Sequence, residues 1–231
     1  MTTIVSGFVY LENNKNRTLE KYIEHGSKLL KLNQNKIIFI DEKVFEYFKD
    51  FQNENTILIK IKFEDLYLYK YKNLLRDWSV NTENGSKDTL DYMIIQCNKT
   101  EWIIQAIELD NFSSDQYLWL DFGIFHMIEK IPALFNEYDK IRISQIWDLN
   151  KEYYNNIYKD ICWYFAGTVF GGDKNKLILF SEFVKKKCEE LINDKKHLMW
   201  EVNIWYLVWR ENKDIFDPYY SDHNQSIIDN Y

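Results

Sequence analysis

Apolar residues in this chain fall into short blocks separated by polar runs, and the blocks alternate between strand-like and helix-like periods. Thr3 to Tyr10 reads as a first strand, with the small residues Ser6 and Gly7 near its end. Arg17 and Thr18 open an amphipathic helix that runs to about Leu32, with Leu19, Ile23, Leu29 and Leu30 apolar. Lys36 to Ile40 is a short buried strand closed by Asp41 and Glu42, and a helix follows through Phe45 and Phe48. Thr56 to Phe63 alternates apolar and polar positions over most of its length, as a strand does. A β-α-β-α-β opening of this kind predicts a parallel sheet with helical crossovers.

The rest of the chain continues the alternation. Phe63 to Trp78 reads as helical, and a polar loop from Ser79 to Ser86 leads to Lys87-Asp88-Thr89. Asp88 is placed to cap a helix through Tyr92, Met93, Ile94 and Ile95, and a second helix spans Glu101 to Leu109. The central stretch is Tyr117-Leu118-Trp119-Leu120, an apolar run with polar flanks that suits a strand buried on both faces. Lys140 to Trp147 is strand-like, Lys176 to Asn193 an amphipathic helix, and Trp200 to Leu207 the start of another. No internal repeat and no Pro/Gly/Ser-rich linker divides the chain, so one α/β domain over residues 1–231 is expected.

The central strand ends abruptly in Asp121-Phe122-Gly123. Ligands in open α/β sheets bind beyond the carboxyl ends of the strands, and a carboxylate there needs a cation or a hydrogen-bond partner. Asp121 is therefore a candidate ligand or metal contact, with His126 close behind it in sequence; the alternative is a helix cap followed by a turn glycine. The tripeptide also occurs in protein kinases, but the catalytic loop, glycine-rich loop and strand lysine of a kinase are missing. Of seven glycines in the chain, three lie in Cys162 to Gly172, at Gly167, Gly171 and Gly172. Glycine admits a ligand close to the backbone, or simply makes a tight turn. Glu201 and Asn203 interrupt an aromatic run. Burial raises the pKa of an unpaired acid, which suits acid-base work, whereas a structural ion pair to Arg142 or Arg210 is the plain alternative. In the tail, Asp222-His223-Asn224 makes His223 a candidate metal or phosphate contact, or else part of a solvated end. His25 and His197 read as surface residues.

Composition narrows the class. Aromatics reach 17%, and the net charge of −7 argues against broad nucleic-acid binding, which needs a basic footprint. Cys97, Cys162 and Cys188 are scattered without a CxxC pair and read as buried reduced thiols. No run approaches the roughly 18 apolar residues of a membrane span, and the N-terminus lacks a secretory pattern, so a cytoplasmic protein is expected. Sequons such as Asn16-Arg17-Thr18 carry little meaning in that setting.

The motifs form an ordered set: Thr3-Ile4-Val5-Ser6-Gly7-Phe8, Lys87-Asp88-Thr89, Trp119-Leu120-Asp121-Phe122-Gly123-Ile124, Ala166-Gly167 with Phe170-Gly171-Gly172, Trp200-Glu201-Val202-Asn203-Ile204-Trp205, and Tyr219-Tyr220 with Asp222-His223-Asn224. From about Thr3 to Asn230 this set resembles the HtrL/YibB family of bacteria and large viruses, which is grouped with GT-A glycosyltransferases. The resemblance implies a GT-A-like α/β fold and transfer of a sugar from a nucleotide-sugar donor, UDP- or GDP-linked, to a glycan or protein acceptor. A looser likeness to retaining GT-A transferases of the blood-group type rests on Phe170-Gly171-Gly172 followed by Glu201. These likenesses imply Ser6, Gly7 and Phe8 at the base and ribose, and Lys87 and Asp88 at ribose, phosphate or sugar. They imply Asp121 at the diphosphate, Gly171 and Gly172 beside a sugar, Glu201 at the reacting centre and His223 at the phosphates. The chain departs from the GT-A Asp-x-Asp metal motif: Gly123 stands where the last acid belongs. Asp121 and His223 remain as candidate ligands for Mn²⁺ or Mg²⁺. A non-catalytic carbohydrate-binding protein on the same scaffold is the alternative function.

Overall fold

The computed structural model describes residues 1–12 and 18–231. The expected helix start at Arg17, and most of the Asn16 sequon, lie outside those residues. Strands β1 (Thr2–Phe8), β2 (Lys36–Asp41), β3 (Thr56–Ile61), β4 (Gln116–Leu120), β5 (Ile141–Gln145), β6 (Phe165–Asp173) and β7 (Phe216–Tyr220) form a sheet of order β3-β2-β1-β4-β6-β5-β7. Pairs β1–β2, β1–β4, β2–β3 and β5–β7 are parallel; β6 runs antiparallel to both of its neighbours. The helices are α1 (Leu19–Leu30), α2 (Leu90–Cys97), α3 (Lys99–Leu109), α4 (Lys174–Lys195), α5 (Glu201–Glu211) and the short α6 (Ser226–Asp229).

Both faces of the sheet are covered, which is why its central strands are continuous apolar runs. Side chains alternate between the two faces with period two. On β4, Tyr117 and Trp119 join a core with α2 to α5, while Leu118 and Leu120 join a core with α1 and α6. The same split divides Ile37 and Phe39 from Ile38 and Ile40 on β2. On the first face three flat rings lie in series: Trp102 stacks on Trp119 at 5.8 Å, and Trp119 on Phe170 at 6.2 Å.

Four expectations differ. The helix through Phe45 and Phe48 is a pair of 3-10 turns, Phe45–Tyr47 and Lys49–Phe51, and Phe63 to Trp78 holds only the 3-10 segments Phe63–Asp65 and Tyr69–Leu75. Their aromatic residues dock individually on the core, and no continuous apolar stripe holds a full helix together. The helix α2 is capped by Thr89, whose Oγ1 accepts the Tyr92 N–H at 3.2 Å; Asp88 does not cap it. The segment ending in Gly171-Gly172 is the interior of β6, not a turn. No helix among the described residues is long and apolar enough to cross a membrane.

Candidate active site

A cavity opens where β1 and β4 end and where the N-termini of α3 and α5 converge. Gly7 and Phe8 reach it from β1, Asp121 from β4, Gly167 from β6, Lys99 from α3, Glu201 from α5, and Lys87 and His223 from connecting segments. Gly7 is needed for packing, since a Cβ there would meet the Trp102 ring at 2.5 Å. Phe8 stacks on Phe122 with centroids 5.1 Å apart, which fixes one cavity wall.

The chemical centre is Lys99. Its side chain is 3% exposed, and its ammonium meets three acceptors at 2.9 Å each: Asp121 Oδ1, Glu201 Oε1 and the Gly167 carbonyl. A lysine has three N–H donors, so each has a protein partner. Burial works against the charge, but the Asp121 and Glu201 carboxylates more than offset it and hold the Lys99 pKa above the ordinary lysine value. A lysine as the first residue of a helix opposes the helix dipole, and the two carboxylates compensate. Glu201 at the first position of α5 has the favourable sign.

Each carboxylate is also oriented. Trp119 Nε1–H donates to Asp121 Oδ1 at 2.8 Å, and the Asp121 N–H donates to the Thr168 carbonyl at 3.0 Å. Glu201 depends on Gly167, because a Cβ at that glycine would take the place of Glu201 Oε1. Glu201 therefore has an ion-pair partner, but it is Lys99. Arg142 pairs with Asp217 at 2.8 Å and Arg210 lies over the Tyr206 ring.

The other expected contacts divide. Lys87 and His223 line the cavity, and His223 packs edge-on to Trp163 at 4.8 Å. Burial lowers the His223 pKa below the usual histidine value; Asp222 opposes this and Lys87 adds to it. Ser6 is fully buried inside the sheet and does not line the cavity. Asp88 stands one layer back, accepting from Thr82 Oγ1 at 2.5 Å and from Trp200 Nε1 at 3.4 Å. It orients Trp200, which does line the cavity. Gly171 and Gly172 are displaced from the site altogether. A Cβ on Gly171 would strike the Tyr117 carbonyl and the Tyr231 hydroxyl, and one on Gly172 the Lys140 carbonyl. Gly172 also has φ +133°, a conformation that side chains disfavour. Both glycines serve the packing of β6 between β4 and β5; the glycine that serves the site is Gly167.

Lys99 carries no motif and was not among the sequence candidates. Its signal was the polar trio Asn98-Lys99-Thr100 between two apolar helices, all three buried. Asp121 and His223 are two donors on one cavity, and among the described residues no group of three His, Cys, Asp or Glu could hold an ion. Mg²⁺ and Mn²⁺ commonly complete their shells with phosphate oxygens and water. The described residues therefore form no protein-caged metal centre, and an ion there would need oxygens from a bound ligand.

No family model matches the chain, so the HtrL/YibB likeness rests on its motifs. No curated protein matches in sequence. Among solved structures, the chain is similar to the apo form of mouse xyloside xylosyltransferase 1, at TM-score 0.51 and 10% identity, over 95% of this chain and 85% of that one. At that identity the likeness concerns the fold, and it agrees with the mixed α/β, mostly parallel, GT-A-like architecture expected from the sequence.

Proposed function

We propose that this protein is a glycosyltransferase that moves a sugar from a nucleoside diphosphate to a glycan or protein hydroxyl. The observation that carries the reading is the Asp121–Lys99–Glu201 triad, set in a cavity at the carboxyl ends of β1 and β4. The fold's likeness to a xylosyltransferase supports it. Two carboxylates clamped on one buried lysine keep a fixed position, as electrostatic stabilisation of a transition state requires.

In this reading Gly7 and Phe8 border the base and ribose, and Lys87 and His223 face the diphosphate. Asp121 offers its second oxygen, and with His223 it would hold any divalent ion that enters with the diphosphate and neutralises phosphate charge. Glu201 faces the sugar. In the reaction the bond from the anomeric carbon to the diphosphate oxygen breaks, and its electron pair leaves with the diphosphate. An acceptor hydroxyl oxygen bonds to that carbon and gives up its proton. Glu201 stabilises the positive character that develops at the carbon, or takes the proton.

The test is a thermal-shift series with UDP, GDP and their sugar conjugates, with and without Mn²⁺, followed by assay of donor hydrolysis. A nucleotide present at about 100 times its dissociation constant stabilises the folded state by about 2.7 kcal/mol. Absence of any shift with every nucleotide, in both metal conditions, would remove the transferase reading.

A further inference from the structure

Beside the cavity lies a second, shallow and open depression bounded by Ile146, Trp147, Trp163 and His223. Two of these residues, Trp163 and His223, also line the cavity that holds Glu201, so the two spaces are neighbours. The β5–β6 ladder continues past the end of β5 to bring the tryptophans together: the Trp147 N–H donates to the Trp163 carbonyl at 3.0 Å. Each ring has aromatic neighbours. Trp147 packs on Tyr153 and Tyr164, with centroids 5.2 and 5.4 Å away, and Trp163 packs against His223.

The indole N–H groups set these rings apart. Trp119 and Trp200, also at the cavity, donate to Asp121 and Asp88. Among the described residues, neither Trp147 nor Trp163 has a protein acceptor for its indole N–H, and both rings are half-buried. The shelf thus offers aromatic surface and two indole donors without a protein acceptor, and no Asp, Glu, Lys or Arg is among its lining residues.

Resting on the transferase reading, we propose that the Trp147–Trp163 shelf is the acceptor subsite and takes an uncharged pyranose ring. A pyranose has an apolar face of C–H groups ringed by hydroxyls. The face removes apolar surface from water on an aromatic ring, and the hydroxyls can receive the indole N–H groups. A charged sugar or an anionic peptide finds no countercharge on the shelf. A ring seated there reaches the Glu201 cavity past Trp163, the wall that the two spaces share.

The test is saturation-transfer NMR, with titration followed by tryptophan fluorescence. The probes are a panel of neutral methyl pyranosides and disaccharides, and an acetylated, amidated Gly-Tyr-Pro-Gly peptide. The proteins are wild type, Trp147→Ala and Trp147→Phe, each checked for folding by circular dichroism. The expected result is glycoside binding to wild type, about tenfold weaker in Trp147→Ala and intermediate in Trp147→Phe, a tenfold change being about 1.4 kcal/mol. No binding by any glycoside, equal binding by Trp147→Ala, or binding of the peptide in place of glycosides overturns the proposal. If Trp147→Ala does not fold, Trp147→Phe decides, and unchanged affinity there overturns it. Nucleotide shifts on the same wild-type sample separate the two ideas. Trp147-dependent glycoside binding without any nucleotide response leaves a sugar-binding shelf but removes the transferase and with it the acceptor role; nucleotide stabilisation without glycoside binding retains the transferase and overturns the shelf.

Discussion

Lys99 and Glu201, 102 positions apart in sequence, meet at 2.9 Å, and the same ammonium reaches Asp121 at the same distance. Removing the cation strands two carboxylates in a confined space. Lys99→Met is therefore expected to lower stability by about 3 kcal/mol, the usual order for breaking a buried pair from one side. Urea denaturation of the variant against wild type measures this, and a loss under about 1 kcal/mol would mean that the carboxylates are well solvated without Lys99.

The raised Lys99 pKa also carries a pH dependence with a definite sign. The folded protein holds this proton more tightly than the unfolded chain, so the contribution is fully present below the ordinary lysine pKa. It is lost as pH rises through the higher folded value. Wild type should therefore lose stability at strongly alkaline pH, and Lys99→Met should lack that part of the loss, as denaturation midpoints across the alkaline range will show.

Glu201→Gln keeps an oxygen acceptor for Lys99 and removes the charge that the proposed chemistry uses. The expected outcome is a folded protein with donor binding near wild type. Its turnover, including slow donor hydrolysis, should fall by about two orders of magnitude or more. Wild-type turnover in this variant would exclude Glu201 from the chemistry.

The glycines of β6 should separate by role. Gly167→Ala pushes Glu201 out of its place, so turnover should fall much further than nucleotide affinity. Gly171→Ala drives a methyl into the Tyr117 carbonyl, so the fold itself should suffer. Melting temperature, nucleotide affinity and turnover measured side by side on both variants distinguish a displaced carboxylate from a disrupted sheet.

His197 provides an acid-side prediction away from the site. It is buried, not on the surface as its polar sequence context suggests, and its Nε2–H donates to the Tyr158 carbonyl. Burial pulls its pKa below the usual value, with the hydrogen bond opposing and Lys159 adding. Here the unfolded chain binds the proton more tightly. The histidine's contribution is complete above its unfolded pKa, near 6.5, and declines as pH falls below it. His197→Gln should flatten the loss of stability as pH falls below about 6.5, read as midpoints in urea.

Nucleotide affinity in EDTA tests the two-donor metal reading. If a divalent ion accompanies the diphosphate, EDTA weakens binding, and Asp121→Asn and His223→Ala each reduce the gain on adding Mn²⁺. Unchanged affinity in EDTA would leave Asp121 as a direct contact to ribose or sugar.

Local order in the chain determined the alternation of strands and helices. The runs Lys36 to Ile40 and Tyr117 to Leu120 announce strands buried on both faces, because a sheet covered on both sides needs apolar residues at every position. The ends of β1 and β4 are equally local features, so the order of residues marks Gly7, Phe8 and Asp121 as strand-end positions, and the parallel pairing of β1 with β4 brings them to one edge. The tertiary structure decided what stands opposite them. Which glycine of β6 serves the site depends on the neighbour each one faces: Gly167 faces Glu201, whereas Gly171 and Gly172 face backbone of β4 and of Lys140. Lys99 has no local motif because its two carboxylates lie on distant segments. An ion pair between segments this far apart in the chain leaves no periodic trace in sequence; only the convergence of β4, α3 and α5 makes it.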